Sequence, residues 1–233
     1  MGWNSRQDRP MAVPAQAKNN TDNGGHRLRT QDYRTRTMML EHKNPSYNGA
    51  WGVAVDIGYS GTKVFSPNIV ACFPSFATPV SGSLINLFAP DAATILYRDG
   101  ETGAVWRVGK TAQENISIQD PDQNSTAIYG RQWYFSPMYL VIARTALGIA
   151  SRKNNFGDPA DKKVYLQTGL PNQYLNSDTP HIIETLTGTH VFDLKVGSAD
   201  WEHFEITLDS SSIKVIAQPL GTLLSITTDN NGG

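Results

Sequence analysis

The stretch that most constrains this chain is Val53 to Phe65, VAVDIGYSGTKVF. Val53, Ala54 and Val55 form a short apolar run suited to a buried strand. Asp56 stands at the end of that run. Gly58, Tyr59, Ser60 and Gly61 make a turn of small and hydroxyl-bearing residues, and Thr62, Lys63, Val64 and Phe65 begin a second strand. The unit reads as strand, glycine-rich turn, strand. It does not read as strand, loop, helix.

That distinction has chemical content. Glycines let a backbone adopt positive φ and come close to a ligand. Successive N–H groups in such a turn can converge on one anion. Ser60 and Thr62 add hydroxyl donors, and Lys63 adds a charge able to reach a phosphate. Asp56 only accepts hydrogen bonds and suits a magnesium ion, held through its waters. The phosphate loop that ends in Gly-Lys-Ser/Thr and opens a helix is a different device, and the sequence has none. Taken alone, the stretch is equally compatible with a plain β-hairpin carrying a polar turn.

The length of 233 residues allows one large or two small domains. A net charge of −1 gives no overall pull towards nucleic acid or anionic lipid. One cysteine excludes an internal disulfide framework and fits a reducing compartment. Cys72 lies in the apolar run from Ile69 to Phe73 and is expected in the core. The five histidines lack metal-ligand spacing. Apolar runs are too short to span a membrane, and the N-terminus lacks a secretory hydrophobic segment. A cytoplasmic protein is the expectation.

Residues 1–50 are rich in Asn, Gln, Thr, Gly, Arg and Pro and poor in apolar side chains. Such a segment cannot bury enough surface to offset its ordering entropy, so a disordered, mildly basic extension is expected there. Residues 51–233 form the domain. After the hairpin, Ile69 to Phe76 reads as a strand ended by Pro74 and Pro79. Thr94 to Arg98 is expected to pair with Ala104 to Val108 around Asp99-Gly100-Glu101. Gly109 to Asn115 reads as a short helix and 117–126 as a loop. Ser136-Pro137 opens a helix that runs through Met138 to Ala150, with Gly148 counting against its end. Lys163 to Leu166 reads as a strand, Pro180 to Leu186 as a short helix ended by Gly188. Val191 to Val196 and Glu202 to Leu208 read as paired strands, Ile213 to Ala217 as another, and Thr222 to Thr228 as helical. Strands and helices mixed in this way give an α/β fold with a mixed sheet.

Four stretches in order resemble the actin-like ATPases, within them the ParM/StbA type of plasmid-segregation protein. VAVDIGYSGTKVF is similar to the family's first phosphate loop. VWRVGKTAQEN, VYLQTGLP and IKVIAQPLGTLLS are similar to three later stretches, the last being the strand-to-helix passage that orients the hydrolytic water. The resemblance implies an RNase H-like sheet with flanking helices, and ATP bound between two large domains. It implies that Asp56 contacts the Mg2+–phosphate cluster, that Gly58, Tyr59, Ser60, Gly61 and Thr62 wrap the phosphates, and that Lys63 pairs with them. Gln218 would hold the attacking water. Tyr59 departs from the serine or threonine usual at its position, so its contact would be through the backbone N–H.

The family's second phosphate loop, expected shortly after the Gln218 helix, has no counterpart in the sequence. The expectation is therefore a first domain, weak or inactive as an ATPase alone, of a protein that binds Mg-ATP and forms filaments. Such filaments move plasmid DNA through a DNA-binding adaptor protein, with no direct contact to nucleic acid or membrane. Two alternatives stand beside it: a non-catalytic piece that binds or caps filaments, and another ATPase of the sugar-kinase and chaperone superfamily.

Overall fold

In the computed structural model, residues 37–44, 49–58, 61–80, 91–119 and 131–218 are described. The centre is β2 (Ala50–Ile57), where buried and partly exposed residues alternate along its whole length. Trp51, Val53, Val55 and Ile57 point into the core, and Gly52, Ala54 and Asp56 point to the other face. The chain reverses at Gly58–Gly61, where the Gly58 N–H donates to the Gly61 carbonyl at 3.2 Å, and returns as β3 (Thr62–Phe65). The pairing is antiparallel, with Asp56 opposite Lys63 and Ile57 opposite Thr62. The strand–turn–strand reading of this stretch holds.

β4 (Ile69–Phe73) continues the antiparallel run, and all five of its residues are buried, Cys72 among them. On its far side lies β1 (Met38–Glu41), paired Met38 to Cys72 through Glu41 to Ile69. The expectation of disorder through residue 50 is corrected for this segment. Composition makes the stretch look polar, but Met38, Met39 and Leu40 supply enough apolar surface to cap an otherwise bare edge. Residues 1–36 lie outside the described residues. On the other side of β2 come β8 (Lys163–Leu170) and β11 (Ile213–Ala217), both parallel to their neighbours. The six-stranded sheet therefore runs β1-β4-β3-β2-β8-β11, antiparallel on one half and parallel on the other.

A second sheet holds β10 (Glu202–Leu208), β9 (Gly188–Val196), β6 (Ile95–Asp99), β7 (Val105–Val108) and β5 (Ala77–Val80), in that order. The hairpin of β6 and β7 and the pair of β9 and β10 lie within a residue or a few of their expected places. Pro79 sits inside β5 and does not end a strand. β5 is an edge strand, where a residue without an N–H is tolerated. α1 (Lys110–Gln119) follows β7 and runs past Asn115 into the segment expected to be loop.

Between the sheets lies α2 (Pro137–Ala150). Ser136 caps it, its Oγ accepting from the Tyr139 N–H at 3.3 Å, and Pro137 occupies the first turn. Ten of its 14 residues are buried, because it packs on β2, β3 and β4 on one side and on β9 on the other. Gly148 is what permits the second contact. A Cβ there would stand 2.5 Å from Leu194 Cδ1 and 2.8 Å from Phe192 Cε2. Polar bonds fasten the same junction. Arg144 donates to Asp99 Oδ2 at 2.8 Å, to the Tyr97 hydroxyl at 3.0 Å and to His190 Nδ1 at 3.2 Å. His190 Nε2 in turn donates to the Leu186 carbonyl at 2.9 Å. Burial pushes the Tyr97 hydroxyl up to about 12 and lowers His190 below its ordinary value.

α3 (Leu175–Leu186) packs on β11 and β8. It starts five residues earlier than proline placement predicts, with Pro180 inside it. The missing N–H falls in the second turn. Buried Ile182 and Leu186 and the fully buried Asp178 carboxylate, gripped in a fork by Arg131, hold the helix around it. The helix expected at 222–228 lies outside the described residues. Among the described residues, no helix is long and apolar enough to cross a membrane.

Candidate functional site

β2, β8 and β11 are parallel, so their carboxyl ends share one edge of the sheet. Open α/β sheets bind ligands at such an edge, where the strands end and backbone groups lose their ladder partners. Here that edge carries Asp56 on β2, Gly169 on β8 and Gln218 one residue past the end of β11, with Lys63 beside Asp56 on β3.

The register places them on one face. Val55 is opposite Thr168, so Asp56 comes level with Gly169, and Gly169 is opposite Ile216, two residues before Gln218. Asp56 is the hub. Its Oδ2 accepts from Lys63 Nζ at 3.2 Å, and its Oδ1 accepts from Gln218 Nε2 at 3.1 Å. The side chains of Asp56 and Lys63 are 40% and 44% exposed, which leaves both open to a ligand from solvent. A carboxylate only accepts, so Gln218 must present its amide nitrogen to Asp56. Among the described residues nothing donates to its Oε1, which can accept from a water.

The Gly58–Gly61 turn lies just beyond. Thr62 is fully buried and faces the core: its Oγ1 shares a hydrogen bond of 2.8 Å with Ser75 Oγ, also fully buried. Any contact from Thr62 to a ligand therefore comes from its backbone, while its side chain anchors the hairpin. Tyr59 and Ser60 lie outside the described residues. Beneath the site, the Tyr139 hydroxyl on α2 bonds to the Thr168 side chain, and full burial pushes the phenol above its ordinary value. That bond pins β8 one residue before Gly169. Two further residues of the site, Ser75 and Gly169, carry no chemistry that the sequence alone makes visible as functional. For Gly169 the signal is only structural, since a glycine inside a strand marks a close approach. For Ser75 the signal is absent, because its bond to Thr62 is tertiary.

The donor set suits a phosphate with its magnesium. One exposed carboxylate, one ammonium, one carboxamide and a glycine-flanked turn are groups able to hold an anion and a cation together. Among the described residues no cluster of three His, Cys, Asp or Glu is present. Magnesium does not need one, because it keeps most of its waters and shares ligands with phosphate oxygens. A separate groove of ≈ 430 Å³, walled by Phe65 and Tyr165, lies along the same sheet face towards the amino ends of the strands. It is distinct from the Asp56 edge.

A mixed sheet with an antiparallel hairpin, two parallel strands and flanking helices, with polar groups gathered at the strand ends, defines an α/β fold of the RNase H-like kind. Residues 54–221 match the family described as "Actin like proteins N terminal domain". The chain belongs to that family of actin-like proteins. Its fold is similar to that of a ParM filament from Clostridium botulinum, at 20% identity and a TM-score of 0.56, over 78% of this chain and 51% of that one. It is also similar to Bacillus thuringiensis ParM in apo form, at 15% identity and a TM-score of 0.55, over 77% and 48%. A non-polymerisable quadruple mutant of pCBH ParM matches at 21% identity and a TM-score of 0.55, over 75% and 48%. The chain thus spans about half the length of these solved relatives. No curated protein matches it.

Proposed function

We propose that this chain carries the phosphate-binding side of an actin-like ATPase site and takes part in filaments that segregate plasmid DNA through a DNA-binding adaptor. The observation that carries this reading is the Asp56 hub, with Lys63 and Gln218 on its two oxygens at the edge where three strands end. When MgATP is bound, the metal supplies charge neutralisation to the transferring phosphoryl group. Asp56 would hold that metal through water, and Gly61 would offer its backbone N–H to phosphate oxygens, while the Gly58 N–H closes the turn on the Gly61 carbonyl. Lys63 would leave Asp56 in part to pair with the phosphates, and Gln218 would orient a water with its Oε1. Gln218 is neutral, so it aligns the water and does not take its proton.

Titration calorimetry of the chain with ATP, with and without Mg2+, tests the nucleotide reading. Binding is expected only with Mg2+, and Asp56→Ala should abolish that dependence. Equal heats with and without the metal would overturn it. Sedimentation with MgATP, followed by electron microscopy of the pellet, tests the filament reading. A chain that stays in the supernatant at every concentration would count against self-assembly.

A further inference from the structure

We propose that Gly169 is a positioning residue for the Gln218 carboxamide, an inference that rests on the nucleotide reading of the site given above. Strands in a sheet are about 4.8 Å apart, so β2 and β11, with β8 between them, are about 10 Å apart. The Gln218 side chain nevertheless reaches Asp56 Oδ1 at 3.1 Å. It does so by crossing β8 on the face that Gly169 occupies, since Gly169 lies opposite Ile216 and level with Asp56. The crossing is possible because Gly169 has no side chain. A Cβ at that position would stand 2.9 Å from Gln218 Cγ.

The rest of its surroundings would accept a methyl group. The next nearest atoms are Gln218 Cα at 3.6 Å and the Ile216 carbonyl oxygen at 3.7 Å, both ordinary contacts. Gly169 is not in the left-handed region, so its backbone suits any residue. The glycine therefore serves neither a turn nor the strand, where it costs stability. What it provides is the channel in which Gln218 lies. Displacing Cγ to an ordinary carbon–carbon separation of about 3.8 Å moves it by roughly 1 Å. The carboxamide then loses Asp56, and with it the orientation that turns Oε1 towards the water.

The test is Gly169→Ala in the full chain, read in two ways. In 15N NMR spectra, the Gln218 side-chain amide pair is identified by its absence in Gln218→Glu. In the wild-type chain this pair should be shifted by the Asp56 carboxylate and should move in Asp56→Asn. In Gly169→Ala the pair should collapse to the position of a solvated glutamine, while backbone amides of β2, β8 and β11 keep their protection. Single-turnover hydrolysis of MgATP, slow in this chain by itself, should fall a further factor of about 10 to 100, as a displacement of this size does to an aligned reaction. MgADP affinity should stay within about twofold, because the phosphate hairpin is untouched.

An unchanged Gln218 amide pair in Gly169→Ala overturns the inference. So does a fall in MgADP affinity as large as the fall in hydrolysis, which would mark a merely structural role. The NMR readout needs no nucleotide. A wild-type chain that ignores MgADP but shows the expected amide response would sink the nucleotide reading and leave the positioning of Gln218 standing.

Discussion

Replacing Gly148 by alanine tests whether α2 is held against the second sheet as closely as its contacts indicate. On an exposed helix the change would stabilise the protein by about 1 kcal/mol, because glycine is that much poorer than alanine in a helix interior. Here the added methyl would meet Leu194 Cδ1 at 2.5 Å and Phe192 Cε2 at 2.8 Å. Neither neighbour has free space to retreat into, since Phe192 is 0% and Leu194 1% exposed. Overpacking of a closed core costs about 1–3 kcal/mol, and two contacts this short place the cost near about 3. The net effect is a loss of about 2 kcal/mol, or a fall in Tm of roughly 4–8 °C for a domain of this size. Circular dichroism at the helix band during thermal and urea unfolding measures it. A Tm equal to or above that of the wild type would refute the packing argument. The double variant Gly148→Ala, Leu194→Val removes the clashing δ-methyl, and should recover at least about 1 kcal/mol relative to additivity.

Thr62→Val leaves Ser75 Oγ buried without its partner and should cost about 1–3 kcal/mol in urea unfolding, with the double variant Thr62→Val, Ser75→Ala costing less than the sum of the single changes. Lys63→Ala should weaken MgATP binding about tenfold by calorimetry, or about 1.4 kcal/mol, and an unchanged affinity would remove Lys63 from the site. His190 titrates below its ordinary value because it is buried, so the unfolded chain takes up the proton first. Stability should therefore be full above about pH 6.5 and decline as pH falls from there towards the folded value, by at most about 1.4 kcal/mol per pH unit. His190→Gln, which cannot titrate, should flatten that part of the profile in urea unfolding followed between pH 5 and 7.

Local chemistry wrote most of the elements into the sequence. The β2–β3 hairpin is legible in its apolar run and glycine turn, and α2 in the Ser136-Pro137 start. Proline misleads twice, for one reason. Its cost depends on whether the lost N–H had a partner, and that is decided by position in a sheet or helix. Pro79 falls on an edge strand and Pro180 falls in a helix held by tertiary contacts. Pairing partners are also not local. β9, β10 and β11 look alike in sequence, yet β11 leaves the other two and joins the parallel end of the first sheet. In the candidate site, Asp56 and Lys63 announce themselves by their chemistry, whereas Gln218 is reached only through the resemblance to the actin-like family. Gly169 contributes by an absence, and its value appears only when strands more than 40 residues apart in sequence lie side by side.

The placement of α2 between the sheets bears on the order in which the molecule assembles. β1 to β4 precede the helix along the chain, whereas β8 and β11 follow it. Hairpins such as β6–β7 close over short loops and can flicker into being on their own. Neither sheet can bury its inner face, however, until one shared helix is docked against both. The transition state for folding is therefore expected to be organised around Ile142, Ala146 and Ile149, all fully buried. Truncations there should slow folding, and truncations at the outer edges, such as Ile206 on β10, should mainly quicken unfolding. The carboxyl edge that gathers Asp56, Gly169 and Gln218 depends on β11 and so would be completed late, after the helix has brought the two halves of its sheet together.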